Sequence, residues 1–441
     1  MQIILLVPYK ITSMIIYNNS QLENGLTIIT AEDNNSDIVT ISIWVKAGSR
    51  YETPGGYGYA HILEHILLKG TKKHPSITSF CTPIDNIGAT KNGLTSHERM
   101  YFFVQASKEH FETMFALLAE IFTEPLFDPD VFVSEKKPII QEFATRIDNL
   151  YQNIYDRSFE NSFPEHSLSN AIVGNAEMTT AVTLDQVKKY FKQLFISENM
   201  AVVVTGNVSH DVVVKNATKH LSSQGNCRAE VPPVAHKIPS PRPFFYKKTS
   251  SKQSYISINF SGEKLYEAER LSADLLANRL DYGATSVLMH ELRHKTGLTY
   301  SQGTDLYFFS DAYLFRIVTS TEKPREVLEI LNNILPAFVD NITLENFDIM
   351  KDQSIGILAR FMSKPYKASE FCGDAWIAAD TITNPAVYME KVRALTFDQF
   401  REAAKKILDF DRCSVVILGP EEIKESEVSH LFNITKRRDS Y

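Results

Sequence analysis

The hydrophobic pattern changes character repeatedly along the chain. β-Branched and aliphatic runs at residues 26–44, 201–205, 254–260 and 414–418 suit buried strands. Between them lie longer helical stretches, among them 60–69, 107–122 and 324–338. Two further helices are announced by Thr183 and Thr396, each an N-cap followed by an aspartate in the first turn, Asp185 or Asp398. The threonine oxygen satisfies orphan backbone N–H groups, and the aspartate sits at the positive end of the helix dipole. Strands and helices mix without regular β-α alternation, which favours an α+β fold over a doubly wound parallel sheet.

The elements come in two sets. Thr183 and Gln186 return as Thr396 and Gln399, and Gly206 returns as Gly419, all at an interval of 213 residues. Gly48 and Gly262, which close the runs that begin at Thr40 and Tyr255, keep almost the same spacing. One offset held over so long a span marks a duplication, so the chain reads as two homologous α/β-roll domains. Between them residues 222–251 carry Pro232, Pro233, Pro239, Pro241 and Pro243 with no sustained period. Proline fixes φ and removes a donor, so this stretch is expected to be a linker between domains at 1–221 and 252–441.

Composition narrows the class. The 441 residues carry 46 basic and 53 acidic side chains, for a net charge of −7, with 44% hydrophobic residues. That is a folded chain without the basic field of a dedicated nucleic-acid binder. Cys81, Cys227, Cys372 and Cys413 are too scattered for a disulfide framework and form no C-x-x-C pair. No run approaches the ~20 apolar residues of a membrane span, and the apolar run 3–8 is too short for a secretory signal. A cytoplasmic address is expected, and the basic run 436–439 reads as a solvated end.

The chemistry concentrates in one pentad. His61, Glu64 and His65 stand in the order H-x-x-E-H, after the glycine-rich lead-in 54–58 and before a helix stop at Lys69 and Gly70. On a helix His61 and His65 share a face, so both imidazoles can reach one ion at ~2.0–2.1 Å. Glu64 emerges beside that face, in the reverse of the commoner H-E-x-x-H order of zinc peptidases. The plainer reading is two partly buried core histidines and a solvated glutamate. Two histidines do not complete a catalytic zinc site, so a third ligand must come from elsewhere. Glu135 and Glu142 lie two helical turns apart, on one side of a helix whose apolar face carries Ile139, Ile140 and Phe143. Taken alone, they read as a solvated acidic stripe.

The run from Gly58 to Thr71 resembles the pitrilysin, insulin-degrading enzyme and mitochondrial processing peptidase superfamily, and the likeness extends from about Met14 to Leu431. The resemblance implies a third zinc ligand about 77 residues beyond the second histidine, which falls on Glu142. It places Glu135 behind the ligands as their support and implies one zinc per chain. Residues 88–101 resemble the family's substrate strand, setting Ala89, Asn92 and Gly93 against an extended peptide. Gly93 stands where the family usually has alanine, and Met100 where it has threonine. Arg293 and Tyr300 read alone as surface and strand residues. They match a pair that, in relatives, reaches across to the zinc site and binds the substrate carbonyl. At the offset that aligns the halves, His61 and His65 fall near Leu275 and Arg279, so the second half is expected to keep the fold without the metal site.

The function implied is a zinc endopeptidase acting on unfolded peptides or leader- and presequence-like segments enclosed between domains. Glu64 would serve as general base, and Arg293 and Tyr300 would stabilise the oxyanion. Chains of this length resemble the dimeric relatives. A homodimer is therefore expected, with a heterodimer containing an inactive related chain as the other arrangement, and the linker is expected to flex. The competing reading is a non-catalytic structural or partner subunit, although such relatives typically have a damaged zinc motif. A purely structural zinc would need a fourth protein ligand, usually cysteine, and only Cys81 is near.

Overall fold

The computed structural model describes residues 15–52, 58–222, 237–379 and 384–428. The lead-in 54–57, Cys227, the prolines at 232 and 233, and the tail 436–439 lie outside them. The first half builds a six-stranded sheet from β1 (Ile16–Gln21), β2 (Thr27–Glu32), β3 (Ile38–Val45), β4 (Thr90–Thr95), β5 (Met100–Ser107) and β6 (Met200–Gly206), in the order β1-β2-β6-β3-β5-β4. The second half builds a five-stranded sheet from β7 (Phe244–Lys248), β8 (Ser254–Glu263), β9 (Gln302–Phe308), β10 (Ala312–Thr321) and β11 (Cys413–Gly419), in the order β7-β11-β8-β10-β9. β2 pairs with β6, and β7 with β11, in parallel; the remaining ladders are antiparallel. The sheets are thus mixed and the fold is α+β, with β6-β3-β5-β4 repeated as β11-β8-β10-β9.

Local signals account for much of this. Both expected threonine caps form reciprocal boxes: Gln186 and Gln399 donate backbone N–H to Thr183 and Thr396, and their side chains accept in return. The helices that follow are Leu184–Leu194 and Phe397–Ile407. The stretch expected as one helix at 107–122 instead opens with a 3-10 turn, Lys108–His110, before the α-helix Phe111–Thr123, because β5 runs on to Ser107. Within the stretch expected as linker, residues 244–248 form β7. It pairs only with β11, an edge position compatible with the prolines just before it, and the Pro243 carbonyl accepts from Val415.

Each sheet has its own core, with Ile41, Ile43, Phe102 and Val202 buried in the first half and Ile256, Ile258, Phe315 and Val415 in the second. The opposite face of each sheet is covered by a helix from the other half. The helix Leu150–Ser162 lies on the second sheet, with Ile154 buried against Val416 and Leu418, and Asn161 donates to Ser414 at 2.6 Å. Reciprocally, the helix Pro365–Ala379 lies on the first sheet. Cys372 and Trp376 pack there with Trp44 and Tyr101, Ser42 and Ser369 share a hydrogen bond of 2.7 Å, and Thr205 donates to the Pro365 carbonyl at 2.6 Å. The buried Arg50 completes the junction, pairing with Glu98 of its own half and Asp311 of the other. A linker that flexes to part the halves is therefore not what this packing supports. Parting them would strip both helices from apolar sheet faces and strand a buried guanidinium. Among the described residues no helix is long and apolar enough to cross a membrane.

Candidate metal centre

The helix Tyr59–Leu67 carries the pentad. Ile62, Leu63, Ile66 and Leu67 are buried on one side, leaving His61, Glu64 and His65 on the side that faces β4 and the long helix Pro129–Asp148. Its N-terminus is fixed by Glu52, whose carboxylate accepts from the backbone N–H of Gly58 at 2.5 Å and of Ala60 at 2.9 Å. Burial pushes the Glu52 pKa up, opposed by these helix-end donors. The helix gives out at Leu68, and Gly70, at φ +154°, turns the chain where a Cβ would lie 2.7 Å from the His74 carbonyl.

Three donors converge. His61 Nε2 lies 3.6 Å from Glu142 Oε1, and His65 Nε2 lies 3.5 Å from Glu142 Oε2. All three ligand atoms fall within 4.8 Å of one another. Donors bound tetrahedrally to zinc stand about 3.4 Å apart, given bonds of ~2.0–2.1 Å, so both measured separations suit an ion between them. Two imidazoles and one carboxylate form a three-ligand set that leaves a position for water or substrate. Glu142 arrives from Pro129–Asp148, and Glu135, two turns earlier on that helix, accepts from His65 Nδ1 at 3.2 Å and pairs with Lys69 at 2.9 Å. The hydrogen bond at Nδ1 directs the Nε2 lone pair of His65 towards the centre.

The electrostatics are arranged around a positive charge. Burial, reinforced by the neighbouring His65, lowers the His61 pKa to about 4 and keeps this ring neutral, the ligating form. Burial would lower His65 as well, but the carboxylates of Glu142 and Glu135 outweigh it and raise its pKa. Glu142, hydrogen-bonded to His65, is held below the ordinary carboxylate range. Burial raises the Glu64 pKa, while the Thr95 hydroxyl, donating to Glu64 Oε2 at 2.6 Å, partly restrains the rise.

β4 lies along the site as the edge strand of its sheet, paired with β5 only. Gly93 and Thr95 point towards Glu64, and Asn92 is exposed on the alternate side. A Cβ on Gly93 would come within 2.9 Å of Glu64 Cγ, so the glycine makes room for the stem of that side chain. Ala89 precedes the strand without joining it. Thr95 and Glu52 were not singled out from sequence. The i, i+2 spacing of Gly93 and Thr95 was the available signal for the first, whereas nothing local marks the second.

Arg293 and Tyr300 stand apart from this cluster. Arg293 belongs to a short π-helical turn, Met289–His294, lies 4.8 Å over the Tyr300 ring and donates to the Tyr300 carbonyl at 3.4 Å. Arg293 is exposed and Tyr300 is 77% exposed, and among the described residues their hydrogen bond and ring contact join them to each other, with none to a metal-site residue.

A duplicated α+β fold with two helix-borne imidazoles and a carboxylate from a second helix defines a metallopeptidase-like protein. The chain belongs to peptidase family M16, the insulinase family: the peptidase domain of that family matches residues 27–176, and its inactive domain matches residues 181–354. An uncharacterized zinc protease of Rickettsia bellii is 28% identical over 412 residues, which cover 92% of this chain and 98% of that protein. The beta subunit of the mitochondrial-processing peptidase of Saccharomyces cerevisiae is 28% identical over 248 residues, covering 55% of this chain and 53% of the subunit. Among solved structures, a protease from Helicobacter pylori superposes with a TM-score of 0.84 at 20% identity, covering 92% of this chain and all of that one. The boundary between the two matched domains lies between residues 176 and 181, ahead of the proline-rich stretch.

Proposed function

We propose that the protein is a zinc-dependent endopeptidase that takes extended, unfolded peptides, one zinc per chain. The observation that carries this reading is the meeting of His61, His65 and Glu142 beside the half-buried Glu64 and an open strand edge. His61, His65 and Glu142 would hold the ion, and Glu135 would orient His65. When bound, zinc supplies a Lewis acid and a water of lowered pKa. Glu64 takes the proton of the attacking water and returns it to the leaving amine. Its raised pKa suits both halves of that exchange, and the bond from Thr95 fixes one oxygen so that the other is free to work. The peptide adds to the open edge of β4, where backbone pairing gives affinity with little demand on sequence. Around Asn92 and Gly93 the strand presents one exposed side chain and a buried glycine against which the Glu64 stem lies.

Arg293 and Tyr300 supply donors to the developing oxyanion, and we assign them to the site of a second copy. Their exposure, and their lack of contact with their own chain's metal residues, support a homodimer in which the second half of each chain completes the first half of its partner. Two experiments test this. Glu64→Gln should retain stoichiometric zinc and lose about three orders of magnitude in kcat on an unstructured peptide; near wild-type turnover would overturn the assignment. Mixing Glu64→Gln with Arg293→Ala/Tyr300→Phe chains should restore activity, because one site of a mixed dimer receives both intact halves. Mixed chains no more active than their parents would place the pair in its own chain's site, or out of the chemistry.

A further inference from the structure

We infer that the cavity at the junction of the two halves is a binding site for an apolar monocarboxylate anchored by Arg270. The cavity measures about 650 Å³ and contains none of the metal-site residues. It is lined by the end of β9, the helices Glu267–Asp281 and Pro385–Ala394, the exchanged helix Pro365–Ala379 and the turn from Ser96 to Arg99, so both halves contribute to it. Its walls include Leu306, Phe308, Phe309, Phe371 and Ile377. The volume lies within the ~300–1,000 Å³ typical of small-molecule sites, and apolar walls with few polar anchors are their usual make-up.

The charges lining the cavity do not cancel. Arg99 pairs with Asp374 at 2.9 Å, and Lys391 pairs with Glu267. Among the lining residues that leaves Arg270 and Lys264 opposite Asp274, which already accepts from the Tyr388 hydroxyl; Glu98, whose charge also reaches Arg270, is held by Arg50 and Ser310. The Arg270 guanidinium lies 4.7 Å over the Phe308 ring, and its Nε and Nη2 are buried without an acceptor among the described residues. Arg99 Nε is in the same condition. Buried guanidinium nitrogens without an oxygen partner are costly, even on a half-buried arginine, and the planar fork they form matches a carboxylate bidentately. A small turn of the Arg270 head would present that fork to the cavity. The surplus of one positive charge, with Asp274 and Asp374 in the walls, favours a monoanion over a doubly charged phosphate. Beside the carboxylate, an aromatic or aliphatic body would fill the phenylalanine-lined space.

Such a carboxylate could be the C-terminus of a peptide or a small organic acid. Binding is measured calorimetrically on the full chain, both zinc-loaded and metal-stripped, so the test does not depend on the peptidase reading. The probes are 3-phenylpropionate, N-acetyl-phenylalanine, N-acetyl-phenylalaninamide and a tetrapeptide ending in phenylalanine. Both free acids should bind at least about tenfold more tightly than the amide, as expected for a charge-assisted bidentate pair, and metal removal should not change this. Added affinity for the tetrapeptide identifies a peptide terminus as the source, and equal affinity identifies a small acid. Arg270→Leu should abolish the preference for acid over amide. Asp274→Asn, which removes the opposing charge, should strengthen acid binding, and opposite signs from two neighbouring substitutions cannot arise from general unfolding. Equal binding of acid and amide, no binding by the acids, binding that vanishes with the metal, or an Arg270→Leu chain with unchanged preference would each overturn the proposal.

Discussion

The two halves answer one question differently. Both build β3-β5-β4 or its counterpart β8-β10-β9, set a helix after the strand that opens this unit, and close with a threonine-capped helix and a buried strand. In the first half that helix spends one side on the core and the other on His61, Glu64 and His65. In the second, the positions matching the histidines are Leu275, fully buried, and Arg279, which donates to the Thr285 carbonyl; the position matching Glu64 is Asn278, which donates to Ser354. The core-facing side was kept and the other side was turned to ordinary packing. The fold rests on many apolar contacts, while the chemistry rests on a few polar side chains that the fold does not need.

This contrast can be broken in graded steps. The largest effect should come from the metal donors: His65→Ala or Glu142→Ala should remove zinc and all peptidase activity, read by metal analysis and peptide cleavage. Leu275→Ala, at the position matching His61, should leave zinc content unchanged and lower stability by about 2–5 kcal/mol in denaturant titration. The helix exchange gives the next step. A Cβ on Gly373 would fall 2.1 Å from Trp44, so Gly373→Ala should cost about 1–3 kcal/mol through overpacking between the halves. A smaller change is expected at Thr95, which has a hydrophobic counterpart, Phe308, in the second half. Thr95→Val should lower kcat about tenfold at unchanged KM and zinc content, with Thr95→Ser restoring most of it.

A last contrast is a pH dependence that His97 gives to the first half. His97 is buried in a stack with Phe159, and burial, together with Arg50, Arg146 and Arg99, lowers its pKa to about 3. An unfolded histidine titrates near 6.5. Below that pH the unfolded chain binds a proton that the folded chain refuses. The stability contribution of His97 is therefore complete above about pH 6.5 and is lost as the pH falls towards 3, at up to about 1.4 kcal/mol per pH unit. His97→Phe should flatten that limb of the stability curve. In the second half the matching residue is Ser310, which does not titrate, so Ser310→Ala should leave the slope as it is.

Much of the architecture was legible along the chain. The caps at Thr183 and Thr396, the strands ending at Gly206 and Gly419, and the helix Pro324–Phe338 follow from local periodicity and end signals, which report on neighbours a few residues away. The i, i+4 histidines were legible for the same reason. Glu142 was named through resemblance and spacing, since nothing within its own helix separates it from Glu135. The edge strand at 244–248 was hidden by the prolines around it. Glu52 and Thr95 were missed because each meets its partner through the fold and carries no periodic signature.

By itself, then, the sequence determined the duplication, the class of fold, most element boundaries and the pentad, because each is written in short-range patterns or in one repeated interval. Only the tertiary structure decided which sheet each exchanged helix covers, that Glu142 meets both imidazoles where Glu135 meets one, and that a charged cavity opens where the halves interlock. Those outcomes depend on contacts between residues up to hundreds of positions apart. Packing chooses among partners that all look equally suitable along the chain.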